Sequence, residues 1–122
     1  MAKKILIVDD EEDILTSIKM LVESMGYEAK TVSRGKKALE TLKKEKFDLV
    51  LLDIFMPEMS GREVLEKIRK DSKIKKQKVA FLSVAQLSET GEDVVKKLKP
   101  VAYFQKPIDI KSFKAKLKKL VE

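Results

Sequence analysis

Asp9, Asp10, Asp53, Ser83 and Lys106 supply three carboxylates, a hydroxyl and an amine, and each comes at or just beyond the end of a short apolar run. Ile5 to Val8 precedes the acid pair, Leu49 to Leu52 precedes Asp53, Val79 to Leu82 precedes Ser83, and Val101 to Phe104 lies just ahead of Lys106. Three carboxylates sharing one crevice repel, so such a site needs a cation or must hold protons. Hard oxygen donors suit Mg²⁺, which keeps several waters and shares itself with a phosphate. Lys106 would add a second positive point charge. A carboxylate can also act as a nucleophile toward phosphorus, giving an aspartyl phosphate. Taken singly, each residue has a plainer account. Asp53 can cap a turn, Ser83 can be a turn hydroxyl, and Glu11 to Asp13 suit a helix N-terminus.

The chain contains no histidine and no cysteine. Imidazole catalysis, thiol chemistry, disulfides and thiolate metal sites are therefore excluded. Its 122 residues fit one domain that buries about two-thirds of the surface of its unfolded chain. No apolar run is long enough to span a membrane, and the N-terminus lacks a signal peptide's apolar core and cleavage site. The expected location is cytoplasmic, with no membrane insertion. Asn and Trp are absent while Lys and Glu abound, the direction seen in hyperthermophile proteins. The net charge of +7 raises the possibility of nucleic-acid binding. Against it, the lysines read as spread over helix faces, without an Arg cluster or interleaved aromatics, and so as solvated surface.

The elements that must position the candidates follow from periodicity. Leu49 to Leu52 is apolar without alternation, the mark of a strand buried on both faces of a parallel sheet. Ile5 to Val8, Tyr27 to Val32, Phe47 to Asp53, Val79 to Leu82 and Val101 to Phe104 read as five strands. Ile14, Leu15, Ile18, Leu21, Val22 and Met25 recur at helical spacing, closed by Gly26. Ser33 can cap a second helix, Ser60-Gly61 opens a third, and Glu89 to Leu98 gives a weaker fourth. Asp109 caps a last helix with Ile110, Phe113, Leu117, Leu120 and Val121 facing the core. The pattern is (βα)5, an α/β fold with a parallel sheet, right-handed crossovers and helices on both faces. Parallel strands end at one shared edge, where ligands of open α/β sheets bind.

The segments I-L-I-V-D-D (5–10), D-L-V-L-L-D-I-F-M-P-E-M-S-G (48–61), F-L-S-V-A (81–85) and Y-F-Q-K-P (103–107) resemble the receiver domains of two-component response regulators, across the whole chain and in order. The resemblance implies a doubly wound, flavodoxin-like sheet of order 2-1-3-4-5. It makes Asp53 the phosphoryl acceptor. Asp10 and Asp53 would bind Mg²⁺ by their side chains, Phe55 by its backbone carbonyl and Asp9 through water, with Mn²⁺ as a substitute ion. Ser83 would donate to one phosphoryl oxygen and Lys106 would pair with another. Ser83 and Tyr103 would form the switch, and Pro107 matches a proline usually preceded by a cis peptide. With no histidine of its own, the chain would take its phosphoryl group from a sensor histidine kinase or a phosphotransfer protein. A downstream protein would read the face of the fourth helix, fifth strand and fifth helix.

Two departures stand out. Val84 follows Ser83 where receivers usually carry a small residue, and Lys99-Pro100 replaces a common Gly-Ala turn. Phe55 and Ala85 border the site and cannot position a water, so slow hydrolysis of the phosphoryl group is expected. The start at Met1 and the complete last helix favour a stand-alone receiver over 1–122 with no effector domain, a phosphoacceptor switch rather than an enzyme. A receiver excised from a larger regulator is the alternative. An aspartyl-nucleophile phosphatase or phosphotransferase is a further one, disfavoured because position 55 is Phe where that class wants an acid. A degenerate receiver that binds partners without phosphorylation is disfavoured by the intact acids, Ser83 and Lys106.

Overall fold

The structure is a computed structural model that describes residues 2–84 and 97–122. Five parallel strands, β1 (Lys4–Val8), β2 (Glu28–Val32), β3 (Leu49–Asp53), β4 (Val79–Ser83) and β5 (Ala102–Gln105), form one sheet in the order β2-β1-β3-β4-β5. The helices are α1 (Glu12–Ser24), α2 (Gly35–Lys44), α3 (Gly61–Lys70) and the C-terminal α4 (Ile110–Val121). The expected helix over Glu89 to Leu98 lies, but for its last two residues, outside the described residues, as does Ala85. Among the described residues no helix is long and apolar enough to cross a membrane.

Successive side chains of a strand point to opposite faces, and here both faces are covered. Leu6, Val8, Val50, Leu52, Val79 and Phe81 join one core with Ala38, Val64 and Ile68 from α2 and α3. Ile5, Ile7, Leu49, Leu51, Ala80 and Leu82 join the other with Leu15, Ile18, Phe113 and Leu117 from α1 and α4. The unbroken apolar runs thus serve two cores. β2 is an edge strand with alternating exposure.

Gly26 ends α1 with φ of 87°, and Asp109 caps α4 by accepting from the Ser112 amide at 3.0 Å. Two expectations need correction. Ser33 does not cap α2: the N-cap is Arg34, with no side-chain cap, and entry is fixed instead by Gly35 lying close against Val64 and Met59. Ile110 does not face the core but is 60% exposed, because as the first residue of α4 it sits on the rim of an apolar groove beside α1.

Glu45, at the end of α2, accepts from Lys30 and Lys4, and these partners push its carboxyl down to about 2. A depressed carboxyl stabilises the fold fully above its unfolded value of 4.5 and loses that contribution as pH falls toward about 2. Thermal midpoints measured across this window should fall more gently in Glu45→Gln than in the parent, and high salt should narrow the gap.

Candidate functional site

The carboxyl ends of β1, β3 and β4 converge because the strands are parallel and in register: Val8 pairs with Leu52, and Asp53 with Leu82. Asp9 and Asp10 follow β1, Asp53 ends β3 and Ser83 ends β4. The Lys106 amide then donates to the Ser83 carbonyl at 2.8 Å, which extends the β4–β5 pairing and carries Lys106 to the same edge. Lys106-Pro107 is a cis peptide, as the motif implies.

Each of Asp9, Asp10 and Asp53 offers a carboxylate oxygen within 4.8 Å of the others. Asp9 is wholly buried and Asp53 nearly so, at 4% exposure, whereas Asp10 is exposed. The buried Lys106 ammonium donates to Asp9 Oδ2 at 2.7 Å and lies 3.5 Å from Asp53 Oδ1, with Glu11 at 4.0 Å. The other oxygen of Asp9 accepts from the Glu11 amide at 2.9 Å, an Asx-type turn that fixes the carboxylate.

Burial, then the neighbouring charge of Asp9, drives the Asp53 carboxyl up to about 7; Lys106 opposes them, while Asp10 adds to the rise. Burial acts to lower the Lys106 pKa, but its bond to Asp9 and the charges of Asp53, Asp9 and Glu11 outweigh it, so the ammonium is held above its ordinary value. One ammonium does not neutralise three acids. Hard oxygens at this separation with unbalanced charge fit a divalent cation of the Mg²⁺ class.

The loop after β3 turns back on the strand end. The Gly61 amide donates to the Ile54 carbonyl at 2.8 Å, folding residues 55–60 back over the strand end. Ser60 then caps α3: its hydroxyl accepts from the Glu63 amide at 3.2 Å while Glu63 reaches the Ser60 amide, a complete capping box. Ser60→Ala should cost about 1 kcal/mol in a chemical-denaturation measurement.

Phe55 is half exposed on this loop, and Met56 beneath it is buried. Ser83 is buried at the end of β4, and Val84 after it is 66% exposed. Tyr103 stands apart from the acids, on β5 opposite Phe81, with ring centroids 5.4 Å apart. The structure thus brings together Asp9, Asp10, Asp53 and Lys106, places Ser83 at the same edge, and sets Tyr103 two strand positions earlier than Gln105, the pairing partner of Ser83. Sequence reasoning missed the sealing of Asp9 by Lys106 and the approach of Glu11; the i, i+2 spacing of Asp9 and Glu11 was the available signal.

Comparison with known proteins agrees with this geometry. Residues 5–118 match the family described as response regulator receiver domain. The transcriptional regulatory protein CrdR of Helicobacter pylori is 34% identical over 119 residues, covering 98% of this chain and 55% of that protein, so the chain spans about half of that relative. The polar-differentiation response regulator DivK of Brucella anthropi is 31% identical, with 93% and 91% covered. The response regulator TrrA of Thermotoga maritima, solved in complex with Mg²⁺-BeF, superposes with a TM-score of 0.85 at 37% identity, covering 97% and 98% of the two chains. Receivers are phosphoacceptor switches that bind Mg²⁺ at an acidic pocket and work with histidine kinases or phosphotransfer proteins and with downstream targets. An acidic cleft closed by lysine at the carboxyl edge of a 2-1-3-4-5 sheet, together with a family match over nearly the whole length, leaves one assignment: the chain belongs to the response regulator receiver domain family.

Proposed function

We propose that residues 1–122 act as a single receiver domain that accepts a phosphoryl group on Asp53 and changes conformation to signal to a partner protein. The observation that carries this reading is the buried Lys106 ammonium, 2.7 Å from Asp9 and 3.5 Å from Asp53, beside three carboxylates with oxygens within 4.8 Å of one another. Asp10, Asp53 and the Phe55 carbonyl would hold Mg²⁺, or Mn²⁺ in its place, with Asp9 acting through water. Bound there, the ion supplies charge neutralisation for phosphoryl oxygens.

In the transfer, an Asp53 carboxylate oxygen forms a bond to phosphorus as the N–P bond of a phosphohistidine on the donor breaks. The electron pair leaves on the imidazole nitrogen, which takes a proton from solvent. The donor is a sensor histidine kinase or a phosphotransfer protein, since the chain has no histidine. Lys106 pairs with one oxygen of the incoming group and Ser83 donates to another, so positioning and charge carry the catalysis. The aspartyl phosphate brings up to about two negative charges. Ser83 and Tyr103 then settle in the arrangement that satisfies them, a shift in population toward one state. The downstream partner reads a face that includes β5 and α4. A cytoplasmic location fits this role.

The test is intact mass after incubation with Mg²⁺ and acetyl phosphate. The parent should gain one phosphoryl group and Asp53→Asn none. Equal gain in both would remove Asp53 from its role, and gain in neither would sink the acceptor reading.

A further inference from the structure

Strands that share one carboxyl edge also share one amino edge, and the parallel sheet makes that opposite edge strongly basic. Lys46 precedes β3, Lys78 precedes β4 and Lys99 precedes β5, while α2 ends in Lys43-Lys44. A concavity of about 500 Å³ there is lined by Lys75, Lys76, Lys78, Lys97 and Lys99 around Arg69. Among the described residues lining it none is acidic. A second concavity, of about 440 Å³, shares Lys76 and Gln77 with the first and adds Lys43, Lys44, Lys46 and Lys73. Its Glu45 is already engaged by Lys4 and Lys30. Separate segments of the chain therefore contribute to two adjoining basic concavities that meet at Lys76 and Gln77 and together make a basic trough.

Basic residues at helix C-termini complement the helix dipole, but each terminus carries only about half a charge. The trough holds more lysines than that balance requires. Its single arginine is also committed: Arg69 donates to the carbonyls of Leu98, Lys99, Lys75 and Gln77, binding the trough's two walls together. Among the described lining residues no bidentate guanidinium is left to read a base edge, and the one aromatic is the buried Phe47. The apolar contribution is also slight, with Val101 the one exposed large hydrophobic residue among the lining residues. A flat anionic bilayer is served by a protruding patch with apolar groups to insert. A row of lysines along a trough suits a linear chain of phosphates.

We propose that this trough binds the phosphodiester backbone of nucleic acid, through charge and without reading sequence, at the pole opposite Asp53. Such binding is weak at physiological salt and depends steeply on it. The test is fluorescence anisotropy of a labelled DNA duplex of arbitrary sequence, titrated with the full chain at about 50 mM and about 200 mM salt. If about four phosphates are neutralised, affinity should fall roughly a hundredfold between the two. Charge reversal at Lys75, Lys76 and Lys78 to Glu should weaken binding at low salt at least about tenfold and flatten the salt slope by about three. A control variant with Lys19, Lys36 and Lys37 changed to Glu carries the same net charge but leaves the trough intact, and should bind nearly as the parent does. Thermal melts of both variants establish that they are folded. Equal losses in the two variants would reduce the effect to overall charge and overturn the proposal. Binding to phosphatidylserine vesicles but not to the duplex would overturn it in favour of a lipid surface.

Discussion

Asp53→Asn is expected to make the cation-free protein more stable above about pH 7, even as it ends phosphorylation. The Asp53 carboxyl has an ordinary value of 3.8 and stands at about 7 in the fold, chiefly because it is buried. Between those values the folded state holds more protons than the unfolded one, so stability falls as pH rises, and the full cost is present above about 7. Removing the charge returns a contribution on the order of 1 to 3 kcal/mol. It does not strand Lys106, which keeps Asp9 at 2.7 Å. A divalent cation held by these acids, as proposed above, would reverse the comparison, because it would stabilise the parent by mass action and meet one negative charge fewer in the variant. Thermal midpoints of both proteins, in EDTA and in Mg²⁺, near pH 5 and near pH 8, make the check. A variant that melts below the parent in EDTA at the higher pH would contradict the burial argument. An equal response to Mg²⁺ would remove Asp53 from the ion's ligands.

The second large effect belongs to a residue with no side chain. A methyl group on Gly61 would meet the Asp53 carbonyl oxygen at 2.2 Å, Ile54 Cα at 2.8 Å and the Asp53 carbonyl carbon at 2.9 Å. All three are backbone atoms, at the residues that place the Asp53 carboxylate and accept the Gly61 amide. Relief therefore requires the loop to lift off the strand. Gly61→Ala should cost about 1 to 3 kcal/mol or more, and it should nearly abolish labelling by acetyl phosphate. Gly35 offers the contrast: its closest contact, 2.6 Å, is with a Val64 side-chain carbon that can turn aside. Urea denaturation of the two alanine variants, with phosphoryl labelling alongside, should show the larger loss at Gly61. Matching midpoints and undiminished labelling would mean that the loop is seated in some other way.

Much of this was legible because the sheet is simple. Runs such as Leu49 to Leu52 between turn signals read as strands covered on both sides, and a carboxylate directly after one comes at the sheet's edge. Parallel connections then bring Asp9, Asp10, Asp53 and Lys106 to a single rim. What stayed hidden depends on contacts between distant segments. Ser33 has the right chemistry for a cap, yet Gly35 already sets the entry of α2 by close packing. Ile110 has helical spacing with Phe113, but the first turn of α4 overhangs the rim of the core. The lysines of the amino edge come in clusters, Lys43 to Lys46, Lys73 to Lys78 and Lys97 to Lys99, that lie far apart in the chain, and no local pattern announces that the clusters meet. Arg69 holds four carbonyls from two segments, a role that nothing in its neighbours suggests.

Because β3 is covered on both faces, it works as a ruler. Loss or gain of one residue between Leu49 and Asp53 would exchange the cores its side chains enter and turn the terminal acid away from Lys106. Substitutions within the strand can be absorbed by repacking; a change in its length cannot. Drift in this protein should therefore accumulate as altered side chains and lengthened outer loops, while the count of residues from the strand's start to its acid stays fixed.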